Sequence, residues 1–133
     1  MTDEIVVPLD RDADIIAARQ QGRELAMQAG FTGSDLAVIA TAISEVARNI
    51  ILYAERGEIA LSLVRRAGRN GIAVIARDNG PGIPDIDLAM QDGYSTGKSL
   101  GLGLPGAKRL MDEFAIVSES GNGTTITMMK WTS

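Results

Sequence analysis

Hydrophobic residues recur along this chain with two different periods, and each period predicts a type of element. Apolar residues spaced three and four apart predict a long helix from Ser34, a favourable N-cap residue, to about Ala54. A second helix is predicted over Ala13–Ala29, and Gly30 is a suitable residue to end it. Both helices have one apolar side, so both must bury that side against another layer.

Strict alternation of apolar and polar residues predicts strands elsewhere in the chain. Glu58–Val64 is the clearest case, and the turn AGRNG (residues 67–71) that follows it contains Asn70-Gly71 as a hairpin signal. Such a turn would return the chain antiparallel to its predecessor. The predicted strands are Ile5–Leu9, Glu58–Val64, Ile72–Arg77, Ile116–Ser120 and Thr124–Trp131.

The segment between the third and fourth predicted strands is rich in glycine and serine. One or two helical turns are predicted over Asp85–Met90 and a loop over Asp92–Gly103. Pro105 suits the first turn of a helix, which is predicted to continue to Phe114. Strands joined by tight turns, with helices between the groups, predict an α/β two-layer sandwich with a mixed, mostly antiparallel sheet and helices on one face.

Composition narrows the class of protein. The 133 residues fit a single domain, residues 1–133, and they include no cysteine and no histidine. Disulfides, thiolate or histidine metal sites, a serine–histidine triad and a phosphohistidine acceptor are therefore excluded within the chain. A net charge of -4 does not favour nucleic-acid binding. We expect no signal peptide and no segment near the ~20 apolar residues of a membrane helix, and hence a cytoplasmic protein.

Two glycine-rich stretches resemble phosphate-binding motifs. Gly101–Gly106, GLGLPG, has the dinucleotide spacing G-x-G-x-x-G, and Gly93–Ser99, GYSTGKS, falls one residue short of a P-loop. No predicted strand leads into either stretch, and Asp92 stands where the P-loop needs its first glycine, so both readings are rejected. The glycines before Pro105 remain equally consistent with an anion cradle at a helix start and with a surface loop.

Two polar clusters upstream carry candidate chemistry. In SEVARN, Glu45 and Asn49 are four residues apart and share one side of the long helix, where a carboxylate and an amide oxygen suit Mg²⁺ with its waters. In DNGPG, Asp78 ends a predicted strand and is followed by two glycines. Asp78 is either part of an ordinary turn or an acceptor that selects an exocyclic amino group such as that of adenine. The later GNGTT stretch favours a hairpin turn.

Taken together in this order, the pieces resemble the GHKL (Bergerat-fold) ATP-binding superfamily of gyrase, Hsp90, histidine kinases and MutL. E-x-x-x-N resembles its N box, D-x-G-x-G its G1 box and the glycine loop its G2 box. The longer runs AISEVARNI, DNGPGIPDI, DGYST and GLPGAKRLMDEF resemble the RsbT-type serine/threonine switch kinases of the anti-sigma-factor kinase family. This resemblance implies a kinase that uses ATP and Mg²⁺ and phosphorylates STAS-domain proteins in a partner-switching, stressosome-type stress module. After release it would bind and activate a PP2C-type phosphatase.

The resemblance also implies roles for matched residues in the first two boxes. Glu45 would be the base that polarises the acceptor hydroxyl, and Asn49 would ligate Mg²⁺. Asp78 would accept from the adenine amino group, while Gly80 and Gly82 make room for the base.

In the same way, Gly101 and Gly103 would offer N–H groups to the phosphates, and Thr124 would lie beside the adenine. Two further candidates come from their positions alone. Lys98 is expected either to meet the γ-phosphate or to be a solvated loop lysine, and Arg48 to contact phosphate or partner, or to be a surface charge. Two other functions stay open: an anti-sigma factor of the RsbW/SpoIIAB type that sequesters a sigma factor, and an ATPase module of a larger machine.

Overall fold

Helices and strands of the chain form two layers in a computed structural model that describes residues 4–82, 90, 103–119 and 121–132. Over these residues the order along the chain is β1 (Ile5–Leu9), α1 (Asp12–Ala29), α2 (Ser34–Tyr53), β2 (Gly57–Arg66), β3 (Arg69–Asp78), α3 (Gly103–Leu110), β4 (Glu113–Glu119) and β5 (Gly123–Trp131).

The strands form one sheet in the order β1-β2-β3-β5-β4, and each of the four pairings between described strands is antiparallel. In the β3–β5 pair, Asp78 lies opposite Thr124, and in the β2–β3 pair it lies opposite Gly57. The predicted two-layer sandwich is confirmed. Asp78 therefore ends the central strand, with a neighbour on each side.

The core lies between the sheet and the helices. Residues that alternate along β2 and β3, such as Leu61 and Val74, are fully buried with Ile39 and Ile43 of α2. Gly22 lies where α1 approaches α2, and a Cβ at this position would overlap the Ile43 side chain. A glycine inside a helix costs stability, but here it allows the two helices to pack closely on the sheet.

The β2–β3 turn differs from its prediction. It consists of Ala67 and Gly68, both with positive φ (53° and 79°), which is the conformation of a two-residue type I′ hairpin turn. Asn70 and Gly71 instead lie within β3, with Asn70 paired to Arg65. The turn thus lies within the predicted AGRNG stretch, but the Asn70-Gly71 signal was wrong because the strand pairing begins earlier, at Arg69.

Two predicted helix ends also differ. Ser34 is the first residue of α2 and not its N-cap, since Gly33 precedes it and no side chain caps the helix start. The third helix begins at Gly103 and ends at Leu110, before the predicted end at Phe114. The Asp112 N–H donates to the carbonyl of Met129 at 3.0 Å, so the chain leaves the helix to join β5 as a strand.

The helix α2, at 20 residues, is long and apolar enough to cross a membrane by length and composition alone. This corrects the prediction that no segment approaches that length. Half of the helix is buried inside the fold, and it carries Glu45, Arg48 and Asn49 in its second half. Packing on the sheet accounts for its apolar character, because its buried residues belong to the common core.

Candidate active site

The carboxylate of Glu45 is buried although it belongs to a residue type that is rarely buried without a partner. Its side chain is 5% exposed, and its Oε1 accepts a hydrogen bond of 2.8 Å from Nη1 of Arg48, one turn further along α2. Arg48 is 38% exposed, so the guanidinium reaches from solvent to a carboxylate inside the fold. The ion pair orients Glu45 and stabilises its charge.

Asn49 follows on the same side of α2. It is half-buried, and over the described part of the chain its side chain makes no hydrogen bond. An amide offers one acceptor oxygen and two donors, and here all of them are available to a ligand. The structure thus brings Glu45 and Asn49 to one side of α2, as predicted from their spacing of four.

Asp78 points toward the helix layer from the end of β3. Residues 74 and 76 of the same strand are buried under the helices, and side chains two apart in a strand share a face. The Asp78 Oδ1 accepts the Gly80 N–H at 2.9 Å, which folds the following loop back over the carboxylate. This bond leaves Oδ2 as an acceptor on the side of the helices.

The loop after Asp78 packs closely against the end of α2, where Gly80 lies beside Ala54. A Cβ on Gly80 would lie 2.5 Å from the Cβ of Ala54, the residue that ends α2. Gly80 therefore already has a packing reason to be glycine. The predicted role of Gly80, making room for a base, remains a prediction beside that reason.

The turn between β4 and β5 holds the same loop from the other side. The Gly121 N–H donates to the Pro81 carbonyl at 2.7 Å. Gly123 has φ +89°, and a Cβ on it would overlap the Asp78 carbonyl oxygen and lie 2.9 Å from the Cα of Asn79. The GNGTT stretch thus forms the predicted hairpin turn and, in addition, supports the backbone of Asp78.

Gly57 connects the sheet end to α2. A Cβ on Gly57 would lie 2.8 Å from Cγ2 of Ile50 and 3.1 Å from the Cβ of Asp78. Ile50 directly follows Asn49 in α2. This packing therefore brings the end of α2 next to the paired residues Gly57 and Asp78 at the end of the sheet. The last turns of α2, which contain Ile50 and Ala54, therefore pack against the end of β3 that carries Asp78.

Thr124 lies next to Asp78 on the neighbouring strand, β5. It is 5% exposed and lies opposite Asp78, and its Oγ1 lies 2.8 Å from the Ser118 Oγ. The Ser118 hydroxyl also donates to the Gly123 carbonyl at 3.2 Å. These contacts fix the Thr124 hydroxyl on the helix side of the sheet, and its place beside adenine stays a prediction.

Four predicted site residues belong to the glycine-rich segments. Gly82 has φ +79°, and Gly103 has φ +68° at the start of α3, which packs against α2. Lys98 and Gly101 lie outside the described residues, as do the predicted helical turns before Met90 and nearly all of the predicted loop over Asp92–Gly103.

Sequence reasoning missed the supporting roles of Gly57, Gly123 and Ala54. An isolated glycine in a strand often marks a close approach of another backbone, and Gly57 and Gly123 each begin a strand. That signal was present in the sequence. It does not reveal which backbone approaches, and this information is what gives the positions their meaning.

The donor set fits a nucleotide better than a metal held by protein alone. A carboxylate oxygen with glycines beside it suits an amino group on a flat ring, and the side chain of Asn49 has one oxygen of the kind that ligates a cation. Among the described residues, no group of three or more acidic, histidine or cysteine side chains could hold a metal ion. Mg²⁺ commonly takes most of its ligands from substrate phosphates and waters, so one amide oxygen is compatible with such a site.

Comparison with known proteins decides the family. The family model of the histidine kinase-like ATPase domain matches residues 8–130. The chain belongs to this family. It is 53% identical over 131 residues to the serine/threonine-protein kinase RsbT of Bacillus subtilis (strain 168), with 98% of both chains covered. The predicted resemblance to the RsbT-type kinases is confirmed.

Other relatives of the family include anti-sigma factors. The chain is 32% identical over 118 residues to the anti-sigma F factor of Caldanaerobacter subterraneus subsp. tengcongensis, covering 86% of this chain and 82% of the relative. The crystal structure of the RsbU and RsbW domains of Rv1364c from Mycobacterium tuberculosis matches with a TM-score of 0.66 and 25% identity, over 99% of this chain and 33% of that one. The mycobacterial sensor histidine kinase MprB shares the fold, with a TM-score of 0.57 at 15% identity over 98% and 97% of the two chains.

Proposed function

We propose that this chain is an ATP-dependent protein serine/threonine kinase. The observation that carries the proposal is the 53% identity to a serine/threonine-protein kinase over 98% of both chains. The geometry supports it, because the end of α2, the helix that carries the buried carboxylate of Glu45, packs against the end of β3 that carries the acceptor carboxylate of Asp78.

Asp78 holds the adenine end of the nucleotide in this proposal. One of its oxygens takes the Gly80 N–H, and the other accepts from the exocyclic amino group. Thr124 lies opposite Asp78 and lines the same position, while Gly80 and Gly82 keep the wall free of side chains. Guanine presents an acceptor at the equivalent atom, so this arrangement favours adenine.

The phosphate end lies toward α2 and the start of α3. Gly101 and Gly103 donate backbone N–H groups to the phosphates, and Lys98 meets the γ-phosphate. When Mg²⁺ is bound, it neutralises charge on the phosphates, and Asn49 holds it through its side-chain oxygen.

In the transfer step, the hydroxyl oxygen of the acceptor Ser or Thr forms a bond to the γ-phosphorus. The bond from that phosphorus to the β–γ bridging oxygen breaks, ADP leaves with the electron pair, and the acceptor proton passes to Glu45. Phosphoryl transfer depends mainly on positioning and charge neutralisation, so the chief task of Glu45 is to orient the hydroxyl. The hydrogen bond from Arg48 keeps the carboxylate in place for that task.

The partners in the proposal are proteins. By its likeness to RsbT, the chain phosphorylates STAS-domain antagonist or scaffold proteins in a stressosome-type stress module. On release it binds and activates a PP2C-type phosphatase. A chain with net charge -4 and no cysteine or histidine suits such a cytoplasmic signalling protein.

The test of the kinase proposal is transfer of radiolabelled γ-phosphate from Mg-ATP to a purified STAS-domain protein encoded beside this chain. We expect label on a Ser or Thr of that protein with the wild type and strongly reduced label with Glu45→Gln. A STAS-domain protein in which the labelled residue is changed to Ala serves as the substrate control. Absence of both transfer and Mg-ATP binding in the wild type would contradict the proposal.

A second function is supported by a specific observation. The 32% identity to an anti-sigma F factor over 86% of the chain favours a protein that sequesters a sigma factor. Size-exclusion chromatography of this chain with sigma factors of its organism distinguishes the two. A stable complex with a sigma factor, together with no transfer to STAS-domain proteins, would favour this second function over the first.

A further inference from the structure

A groove of about 350 Å³ lies between the start of α1 and the second half of α2. Its lining consists of four apolar residues and two opposite charges, namely Ile15, Ile16, Ile51, Leu52, Asp12 and Arg48. We call it the α1–α2 groove. None of the residues proposed to hold adenine or Mg²⁺ lines it.

One residue of the apolar lining is largely exposed. Ile16 is 67% exposed, although α1 buries Ala18, Gly22 and Leu25 on its other side. Ile15, Ile51 and Leu52 around it are only partly buried. A contiguous apolar patch rimmed by charges is typical of a protein-binding surface, because covering such a patch releases its ordered water.

The two charged side chains at the groove, Asp12 and Arg48, can form ion pairs with a bound protein. Asp14 already accepts the backbone N–H groups of Asp10 and Arg11 at the start of α1, whereas Asp12 makes no hydrogen bond or ion pair within the described residues. Arg48 uses Nη1 for Glu45, and over the same residues its other donors have no partner. An arginine carries five N–H donors, so it can bind a second carboxylate without releasing the first.

Arg48 also makes the groove continuous with the proposed active site. Its side chain lines the groove and bonds to Glu45, and Leu52 lies one turn further along the same side of α2. A protein seated in the groove would therefore lie next to the carboxylate that polarises its hydroxyl.

We infer that the α1–α2 groove docks the acceptor protein of the kinase. The occupant is a surface segment of that protein with two or more apolar side chains, a carboxylate that pairs with Arg48 and a basic group that pairs with Asp12. A nucleotide does not fit this chemistry, because the lining holds an acidic residue and no glycine with a free N–H. The inference rests on the proposed kinase function and deepens it by naming where the substrate binds.

The test uses two matched substitutions on α1. Ile16→Lys places a charge in the groove, while Met27→Lys makes the same change at a residue that is 53% exposed near the other end of the helix. Lysine is tolerated at both: Asp12 lies four residues before position 16, and position 27 is near the helix C-terminus. The full chain is titrated with a purified, fluorescently labelled STAS-domain protein encoded beside it, and Kd, KM, kcat and ATP affinity are measured.

We expect Ile16→Lys to raise Kd and KM at least about ten-fold, the effect of losing a central apolar contact, with kcat and ATP affinity unchanged. Met27→Lys should match the wild type in all four quantities. Equal Kd and KM for the three proteins would overturn the docking inference while leaving the kinase function intact. A wild type that binds but transfers no phosphate refutes the kinase function. The ratio of the Kd of Ile16→Lys to that of the wild type then shows whether the STAS-domain protein binds in the groove.

Sedimentation velocity addresses a competing occupant, a second copy of this chain. If the wild type is a dimer that Ile16→Lys dissociates, while the Kd for the STAS-domain protein is unchanged, the groove is a dimer interface. That result would overturn the inference. An unchanged sedimentation coefficient together with a raised Kd supports it.

Discussion

Two glycines in the β4–β5 turn provide a matched pair for testing how the site is built. Gly121 and Gly123 have nearly the same backbone conformation, with φ +84° and +89°. Among the residues that the structure describes, a Cβ on Gly121 meets nothing within 4 Å, whereas a Cβ on Gly123 would overlap the Asp78 carbonyl oxygen and press on Asn79. Substituting alanine at each position therefore separates the cost of the conformation from the cost of the contact.

The expected magnitudes follow from these two costs. Alanine in the left-handed region costs about 1–2 kcal/mol, and this is the whole expected loss for Gly121→Ala. Gly123→Ala adds an overpacking cost of roughly 1–3 kcal/mol, because its neighbours in Asp78 and Asn79 are backbone atoms that cannot rotate away. The total of about 2–5 kcal/mol is a large part of the stability of a typical domain, about 5–15 kcal/mol.

The assay is urea unfolding followed by fluorescence of Trp131, the single tryptophan of the chain. Its Nε1 donates to Glu113 Oε2 at 2.6 Å and the Arg66 guanidinium lies 4.6 Å from the ring centroid, so unfolding changes its surroundings. Each variant is also titrated with ATP by calorimetry. Gly123→Ala should weaken ATP binding because relief of the overlap displaces Asp78, and Gly121→Ala should leave it unchanged.

Either of two results would refute this reasoning. Equal free energies of unfolding for the two variants would show that the Asp78 backbone yields without cost. Unchanged ATP affinity in a folded Gly123→Ala protein would show that the position of Asp78 does not matter for the nucleotide.

Three further predictions concern substitutions of single residues. Asp78→Asn should abolish measurable ATP binding in calorimetry while the urea midpoint changes little, because the amide can still accept the Gly80 N–H; unchanged affinity would remove the adenine role of Asp78. Glu45→Gln should lower the transfer rate by about 100-fold or more with ATP affinity retained, and an unchanged rate would exclude Glu45 as the base. Gly71→Ala should cost roughly 1–3 kcal/mol in urea unfolding, because its Cβ would lie 2.6 Å from the Trp131 ring, and a stability equal to wild type would contradict that contact.

Much of the fold follows from periodicity. The three-and-four spacing of apolar residues predicted α2 from Ser34 to about Ala54, and the helix ends at Tyr53. The alternation at Glu58–Val64 predicted β2, which extends from Gly57 to Arg66 because the hairpin with β3 pairs its full length. The family and the fold are confirmed, and the protein 53% identical to this chain is of the predicted enzyme class.

Errors occurred where a distant partner overrode a local signal. Phe114 lies at helical spacing from Leu110 and Met111, but pairing with Met128 places it in β4. The roles of Lys98 and Gly101 stay predictions, since both lie outside the described residues. The roles given to Glu45, Asn49 and Asp78 also stay predictions, although the end of the helix that carries Glu45 and Asn49 packs against the end of β3 that carries Asp78.

The contrast between Gly121 and Gly123 shows what each level of information determines. In the sequence both are glycines of a G-N-G turn, and the local pattern determines that both can adopt positive φ. Only the tertiary structure decides that Gly123 packs against the backbone of Asp78, whereas a Cβ on Gly121 meets no neighbour within the described part of the chain. The physical reason is that local sequence sets the dihedral angles and the buried face of each element. Close contact between the end of β3 and the start of β5 exists only after strands far apart in the chain have paired.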